Sequence, residues 1–387
     1  MTISDTPDRL ARTKAHLADL IGFATISGQN NLDLIDFCAG LLEPLGAKLD
    51  VSKSADGRKA NLFATLGPDA DGGIVLSGHT DVVPVEGQYW SADPFSAAEK
   101  DGLIYGRGAC DMKGFIACCL AMAPDFAARQ GDTPIHLAFT YDEEVGCLGA
   151  GVMLDALAAS GRKPAICIIG EPTSMRVIEG HKGCHEYTTR FTGLEGHSSD
   201  PDKGVNAIEF AIRHAAELYA VAEDLKGRAP HNSPFSPPWS TMQVGQMTGG
   251  IAHNVIAREC AMVWDFRPIN EADADFAMTR KRTSEDRLRS EMQARFAGAD
   301  IRTETVGAIA GLEPATISEA RDLAVRLTGN SDIGSVSFGT EGGLYQNAGI
   351  STVVCGPGSI EQAHKPDEFI AVDQLGACLK MLERLAV

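Results

Sequence analysis

The sequence is poor in basic residues for its length. It has 34 Lys and Arg against 52 Asp and Glu, which leaves a formal net charge of −18 at pH 7. This excess of negative charge argues against nucleic acids and anionic membrane surfaces as partners. It does not argue against a small-molecule substrate, because a local pocket can oppose the global sign.

Long hydrophobic runs are also missing. No apolar stretch reaches the roughly 20 residues that a membrane span needs, and residues 1–5 lack the basic and apolar regions of a signal peptide. The ten cysteines include no Cys-x-x-Cys pair, which is typical of reduced and mostly buried thiols. We therefore expect a cytoplasmic protein that does not contact a membrane.

The 387 residues suffice for two domains with sizeable cores. Short apolar strands that alternate with helices predict an α/β sheet covered by helices. The predicted strands are 61–66, 73–77, 135–141 and 165–169, and the helices between them are 114–129 and 152–160. From residue 184 to 305 the order changes to strand, helix, strand, strand, helix, strand, the ferredoxin-like α+β pattern. We predict an α/β domain of residues 1–181 and 308–387, interrupted by an α+β domain of residues 182–307.

Three consecutive acids, Asp142-Glu143-Glu144, follow the apolar run at 135–141. In an open α/β sheet, ligands bind beyond the carboxyl ends of the strands. Three clustered carboxylates cost electrostatic energy unless a cation or a shared proton offsets it. A solvated loop is the alternative, and the triplet alone does not decide between the two.

Further candidate ligands also lie at the ends of predicted elements. His79 and Asp81 follow the strand at 73–77, Glu171 ends the strand at 165–169, and His364 lies far downstream. Asp111 lies in a glycine-rich turn that matches neither the dinucleotide fingerprint nor the Walker motif. Histidine with carboxylates suits zinc, cobalt or manganese better than calcium or magnesium. A set in which one carboxylate is shared suits two metal ions. Ligation by the nearby thiols of Cys110 and Cys147 is a weaker alternative to their packing as core residues.

Several sequence blocks resemble the superfamily of dinuclear metallo-aminoacylases, carboxypeptidases and desuccinylases. They are SGHTDVVP at 77–84, YGRGACDMKG at 105–114, DEEVG at 142–146 and GEPT at 170–173. Further blocks are similar to those of the bacterial acetylornithine deacetylases: GHSS at 196–199, GVNAIE at 204–209, GGIAHNV at 249–255, DFRP at 265–268, FGTE at 338–341 and CGPGSIEQAHKPDE at 355–368. The resemblance implies a zinc-peptidase-like catalytic domain with helices on both faces of a mixed sheet, and a ferredoxin-like lid.

The resemblance also implies a role for each candidate residue. His79, Asp111 and Glu171 would hold one metal ion, and Asp111, Glu144 and His364 the other, with a cis peptide bond after Asp111. Glu143 would be the general base and Asp81 would orient His79, while Asp142 only supports the turn. The remaining candidates would contact the substrate or the developing negative charge: His197, Asn254, Arg267 and Thr340. From its charge alone, Glu341 could pair with a substrate amine.

The resemblance further implies removal of the acetyl group from N2-acetyl-L-ornithine, giving L-ornithine and acetate for arginine biosynthesis. The cofactors would be two divalent ions, zinc first, with cobalt or manganese as alternatives. Deacylation of another N-acyl amino acid, such as N-succinyl-diaminopimelate, and a non-catalytic binding homologue are the competing hypotheses. A homodimer through the lid is also implied, and the sequence leaves open whether His197 acts in its own or the partner's site.

Overall fold

The computed structural model describes residues 6–386. Residues 1–5 and 387, which belong to the predicted α/β domain, lie outside the described range. The chain divides into two compact units. One unit holds the chain up to Glu179, Pro314–Ser335 and the chain from Thr340 onward. The other holds Gly180–Glu313 and Val336–Gly339.

The helices and strands alternate through most of the described chain. The helices are α1 (Thr6–Gly22), α2 (Leu32–Leu42), α3 (Gly114–Ala128), α4 (Leu148–Ser160), α5 (Ala207–Lys226), α6 (Glu271–Arg295), α7 (Glu319–Thr328), α8 (Gly342–Asn347) and α9 (Val372–Ala386). The strands are β1 (Lys48–Lys53), β2 (Ala60–Leu66), β3 (Ile74–His79), β4 (Ala98–Lys100), β5 (Leu103–Tyr105), β6 (Ile135–Thr140), β7 (Ile166–Pro172), β8 (Val177–His181), β9 (Cys184–Thr192), β10 (Thr241–Gly249), β11 (Glu259–Arg267), β12 (Asp300–Ile309), β13 (Ile333–Val336), β14 (Ser351–Gly356) and β15 (Phe369–Ala371).

The first unit is built on a mixed eight-stranded sheet in the order β1-β2-β6-β3-β7-β14-β8-β13. Strands β6, β3, β7 and β14 run parallel to one another, whereas β1 and β2 are antiparallel additions at one edge. Every residue of β2, β3 and β6 is buried, as expected when helices cover both faces of a sheet. Helices α1, α3 and α9 contact one another and α4 contacts α8, so the helices form two separate groups. This is the predicted α/β architecture.

The topology of this sheet brings the candidate ligands together. Strands β6, β3 and β7 are neighbours and parallel, so their carboxyl ends lie at the same edge. His79 is the last residue of β3, the acid triplet follows β6, and Glu171 lies near the end of β7. Ligands of open α/β sheets bind at such an edge.

The second unit has the strand–helix–strand–strand–helix–strand order that the sequence predicts. Its four antiparallel strands are arranged β10-β11-β9-β12. In β11 buried and more exposed residues alternate, and Trp264 of this strand stacks on Tyr187 with ring centroids 4.4 Å apart. Strand β12 continues to Ile309, so the unit extends beyond the predicted boundary at residue 307, and it also takes in the distant segment Val336–Gly339.

Other differences from the predicted elements have local causes. Helix α4 begins at Leu148 rather than at residue 152, so Gly149 lies inside it. A Cβ at Gly149 would lie 2.3 Å from the carbonyl oxygen of Tyr141, so glycine is needed for the close approach of α4 to this backbone. The sequence analysis also predicted no individual strand at β8, β13 or β14, or at β1, β4, β5 or β15. The last four are short or too exposed to show an apolar pattern. Within residues 6–386, none of the helices combines the length and hydrophobicity that spanning a bilayer requires.

Candidate metal centre

Five side chains predicted as metal ligands converge in the first unit. His79 Nε2 lies 3.1 Å from Asp111 Oδ1 and 3.5 Å from Glu171 Oε1. His364 Nε2 lies 3.1 Å from Glu144 Oε1 and 3.4 Å from Asp111 Oδ2. The two oxygens of Asp111 therefore face different histidines, so this carboxylate could contact two cations at once.

The turn before α3 presents Asp111. Its backbone leaves helical geometry at Asp111, where φ is −120° and ψ is 93°, and the bond from Asp111 to Met112 is cis, as expected from the resemblance. Gly108, three residues earlier, has a φ of 81°, which glycine adopts without steric cost. The glycines in this segment therefore shape a turn that carries an acid, consistent with the absence of a phosphate-loop motif.

Glu143 lies among the ligand candidates as well. Its carboxylate and the ligand atoms of His79 and Glu171 lie within 4.8 Å of one another, as do those of His79, Asp111 and Glu144. Position alone therefore permits Glu143 to be a metal ligand in place of the general base. The two roles differ in a measurable way, because loss of a ligand lowers the metal content.

The electrostatics of the cluster fit bound cations. Burial raises the pKa of the Glu143 and Glu171 carboxyls well above their ordinary value, and it also raises the pKa of Glu144. Burial opposes ionisation of Asp111 too, but hydrogen bonds from His364 and His79 lower its pKa. Buried carboxylates this close together repel one another and are stable as anions only beside positive charge. Two His and several carboxylate oxygens are a donor set that divalent zinc, cobalt or manganese accepts.

Asp81 joins the first histidine to the acid triplet. The backbone N–H groups of Glu143 and Glu144 donate to its carboxylate oxygens at 3.0 and 3.3 Å. His79 Nδ1 lies 3.0 Å from the backbone carbonyl oxygen of Asp81 and 3.6 Å from its carboxylate. Asp81 therefore contacts His79 more closely through its main chain, while its carboxylate holds the loop that carries the acids.

The third acid of the triplet faces away from the ligand cluster. The carboxylate of Asp142 pairs with Lys59 and accepts a hydrogen bond from the backbone N–H of Gly28 at 2.7 Å. These contacts support the turn, where Asp142 itself has a φ of 53°. They agree with the structural role expected for this residue.

The two nearby thiols are poor candidates for ligands. Cys147 Sγ lies 3.7 Å from Glu143 Oε1, and burial raises the pKa of Cys147 and of Cys110. A thiol must lose its proton to bind a metal. The geometry therefore favours the carboxylate and histidine ligands over a thiolate.

The four other predicted site residues are divided between the two units. In the second unit, His197 and Asn254 are exposed on adjacent loops, joined by a hydrogen bond of 3.1 Å from Ser198 N–H to the Asn254 carbonyl. Arg267 ends β11, and its Nε donates to Asp265 at 3.2 Å. In the first unit, Thr340 is fully buried, and its hydroxyl accepts the N–H of Gly342 at 3.0 Å.

Sequence reasoning assigned no positioning role to two further buried carboxylates. Glu341 is 1% exposed and accepts a hydrogen bond of 3.2 Å from the hydroxyl of Ser77 near the end of β3, a contact that the sequence did not predict. Glu368 is also 1% exposed and pairs with the buried Arg107 at 2.7 Å. Its position four residues after His364 in HKPDE was the available hint, but one sequence does not show that the side chain turns inward.

A family model and the sequences of known proteins were compared with this chain, and both indicate the same family. The model of peptidase family M20/M25/M40 matches residues 75–387. The chain is 35% identical over 361 residues to acetylornithine deacetylase of Pasteurella multocida, covering 92% of this chain and 91% of that protein. It is 38% identical over 347 residues to acetylornithine deacetylase of Proteus mirabilis, with coverage of 88% and 86%. The chain belongs to peptidase family M20/M25/M40.

Solved structures show that the fold of this M20/M25/M40 chain is that of its family. Aminopeptidase PepT from Bacillus cereus has a TM-score of 0.74 at 18% identity, covering 96% of both chains. An M20 family metallo-carboxypeptidase from Sulfolobus solfataricus has a TM-score of 0.70 at 17% identity, covering 97% of this chain and 98% of its own. At these identities the similarity establishes the α/β fold and leaves the substrate to other evidence.

Proposed function

We propose that this chain hydrolyses the amide bond of N2-acetyl-L-ornithine to give L-ornithine and acetate, the reaction that supplies ornithine for arginine biosynthesis. The observation that carries the proposal is identity of 35% to 38% over about nine-tenths of the chain with proteins named acetylornithine deacetylase. The complete set of clustered ligands supports catalysis over the alternative of a binding homologue without turnover.

Two divalent cations are the proposed cofactors, zinc first, with cobalt or manganese as alternatives. We assign His79, Asp111 and Glu171 to one ion, and Asp111, Glu144 and His364 to the other. Bound divalent ions supply Lewis acidity, which lowers the pKa of water and polarises the carbonyl of the scissile amide.

Glu143 is the proposed general base. Its carboxylate takes a proton from the attacking water and later donates it to the amine nitrogen as the carbon–nitrogen bond breaks. The water oxygen bonds to the acetyl carbon as the carbon–nitrogen bond breaks, and it ends in acetate. Both protons of the water end on the amine, one carried by Glu143 and the other lost from the acetic acid, so acetate and the ammonium form of ornithine balance in atoms and charge. Burial raises the pKa of Glu143, and the positive charge of bound divalent ions would favour the ionised carboxylate that accepts the proton.

Substrate recognition is assigned to the four remaining residues that the resemblance indicates. The guanidinium of Arg267 suits the α-carboxylate of the substrate, because its fork of N–H donors matches a carboxylate bidentately. His197 is assigned as a donor to the oxygen that gains negative charge in the tetrahedral intermediate. Asn254 and Thr340 are assigned to further substrate contacts.

A homodimer through the second unit is proposed as well. Strand β10 lies at the edge of its sheet, and most of its residues are exposed. Tyr219, Met247 and Val263 expose apolar side chains in this unit, by 48%, 38% and 40%. An uncovered edge strand with apolar neighbours can pair with another chain.

We also propose a cytoplasmic location. Free thiols at all ten cysteines are consistent with a reducing cytoplasm.

The direct experiment is an assay of product formation. The purified chain, loaded with Zn²⁺, is incubated with N2-acetyl-L-ornithine, and ornithine and acetate are quantified separately. We expect equimolar products, formed much faster than with the Glu143→Ala variant at equal metal content. A rate for the unaltered chain that matches this variant would reject the proposed activity.

A further inference from the structure

The buried carboxylate of Glu368 receives hydrogen bonds from the turn that carries the bridging acid. Its Oε1 accepts the backbone N–H groups of Cys110 and Asp111 at 2.8 and 3.0 Å. Its Oε2 accepts the backbone N–H of Gly108 at 3.0 Å and Arg107 Nη1 at 2.7 Å. Four donors on one carboxylate make an anchor for the whole turn.

Arg107 extends this anchor to the loop of His364. Its guanidinium is 1% exposed and lies 5.0 Å from the Trp90 ring, and Nη2 donates to Gln88 Oε1 at 2.7 Å. Gln88 Nε2 in turn donates to the backbone carbonyl of His364 at 2.8 Å. A continuous chain of hydrogen bonds therefore joins the backbone of Asp111 to the backbone of His364.

The linked residues face the same proposed metal ion. His364 Nε2 lies 3.4 Å from Asp111 Oδ2, although the two residues are separated by more than 250 positions in the sequence. His364 also has a φ of 63°, in the left-handed region. Its side chain is 53% exposed, so packing alone fixes it weakly.

We propose that Glu368 is a positioning residue, which with Arg107 and Gln88 sets the separation of Asp111 and His364 before a metal ion binds. The proposal rests on the metal centre of the proposed function but not on its substrate. Groups that orient metal ligands from behind typically change metal affinity by about 10- to 100-fold when they are altered. Glu368 does not touch the substrate or the reacting atoms in this account.

The test is a titration of the metal-free chain with Co²⁺, whose visible absorption reports the ligand geometry. Glu368→Gln keeps the side-chain shape but replaces one acceptor oxygen with a donor that opposes its neighbouring N–H groups. We expect weaker binding of at least one Co²⁺ by about 10- to 100-fold, with altered absorption bands and a circular dichroism spectrum like that of the unaltered chain. Glu361→Gln removes an exposed acid from the same segment and should bind Co²⁺ as the unaltered chain does.

A second variant keeps the proposal testable if Glu368→Gln does not fold. Gln88→Ala removes a half-buried side chain and its hydrogen bonds with Arg107, Trp90 and the His364 carbonyl, but it leaves the four donors to Glu368 in place. We expect affinity to fall by about 2- to 10-fold, because the backbone of His364 loses one hydrogen bond. Unchanged Co²⁺ affinity and spectrum in the folded Glu368→Gln chain, or in Gln88→Ala if the former is unfolded, would overturn the proposal.

The outcomes separate this proposal from the proposed substrate. A chain that shows the expected losses of Co²⁺ affinity but does not hydrolyse N2-acetyl-L-ornithine would retain the role of Glu368 and reject the substrate. A chain that binds no Co²⁺ would overturn both.

Discussion

Replacement of Glu143 by Gln separates the two roles that the geometry permits for this residue. The variant keeps the size of the side chain and the backbone N–H that donates to Asp81 at 3.0 Å, so the loop should stay in place. If Glu143 is the base, an amide cannot accept the proton and the metal ligands are unaffected. If Glu143 is a ligand beside His79 and Glu171, the amide should hold a metal ion less well.

The size of the expected loss follows from the role. General acid–base catalysis contributes about 10²- to 10⁴-fold to the rate. At about 1.36 kcal/mol per factor of ten, this raises the barrier by about 3 to 5 kcal/mol. We expect kcat for N2-acetyl-L-ornithine to decrease by about 10²- to 10⁴-fold, while KM changes little.

The assay combines kinetics with elemental analysis of the same preparation. Glu143→Gln should hold as much metal as the unaltered chain, and Asp155→Asn, which removes an exposed acid from α4, should match it in both metal content and kcat. A variant that loses one equivalent of metal would identify Glu143 as a ligand. Retained turnover at full metal content would refute the base assignment.

The other predictions concern metal content, recognition and pH. His364→Ala should lower the metal content measured by elemental analysis, and full occupancy would exclude His364 as a ligand. Arg267→Ala should lower kcat/KM for the free-carboxylate substrate by about 10- to 100-fold, the value of a charged hydrogen bond, and much less for its α-amide; equal losses would remove Arg267 from carboxylate recognition. In the metal-free chain, hydrogen bonds to Asp111 and Glu144 raise the pKa of His364 to about 10, and burial raises that of Glu341 to about 7. Both values exceed those of the unfolded chain, so the stability linked to these protons is present at low pH and is lost as pH rises through about 7 and then about 10. The Tm measured after chelation should therefore decrease as the pH is raised from 6 to 10, and added Zn²⁺ should restore it. A Tm that does not change with pH over this range would contradict these pKa shifts.

The first unit could be predicted from the sequence where burial leaves a clear pattern. The fully buried strands β2, β3 and β6 were found within one or two residues because their residues are mainly apolar. The ligand candidates were visible because each followed such a run or lay beside a glycine-rich turn. Short exposed strands such as β4 carry no such pattern, and their pairing depends on partners far along the chain.

The geometry of the centre depends on contacts that no local pattern contains. That Asp111 faces His79 with one oxygen and His364 with the other follows from the meeting of three distant segments. The inward turn of Glu368 likewise depends on N–H groups that a distant glycine-rich turn directs towards it. Its neighbour Asp367 illustrates the difficulty, because that carboxylate instead binds Ser91.

The central claim is that this metal centre removes acetyl from N2-acetyl-L-ornithine. Its most direct test is kcat/KM of the Zn²⁺-loaded chain for N2-acetyl-L-ornithine, N-succinyl-diaminopimelate and N-acetylmethionine, measured under one set of conditions. The account predicts the highest value for N2-acetyl-L-ornithine. A higher value for either of the other substrates would contradict it.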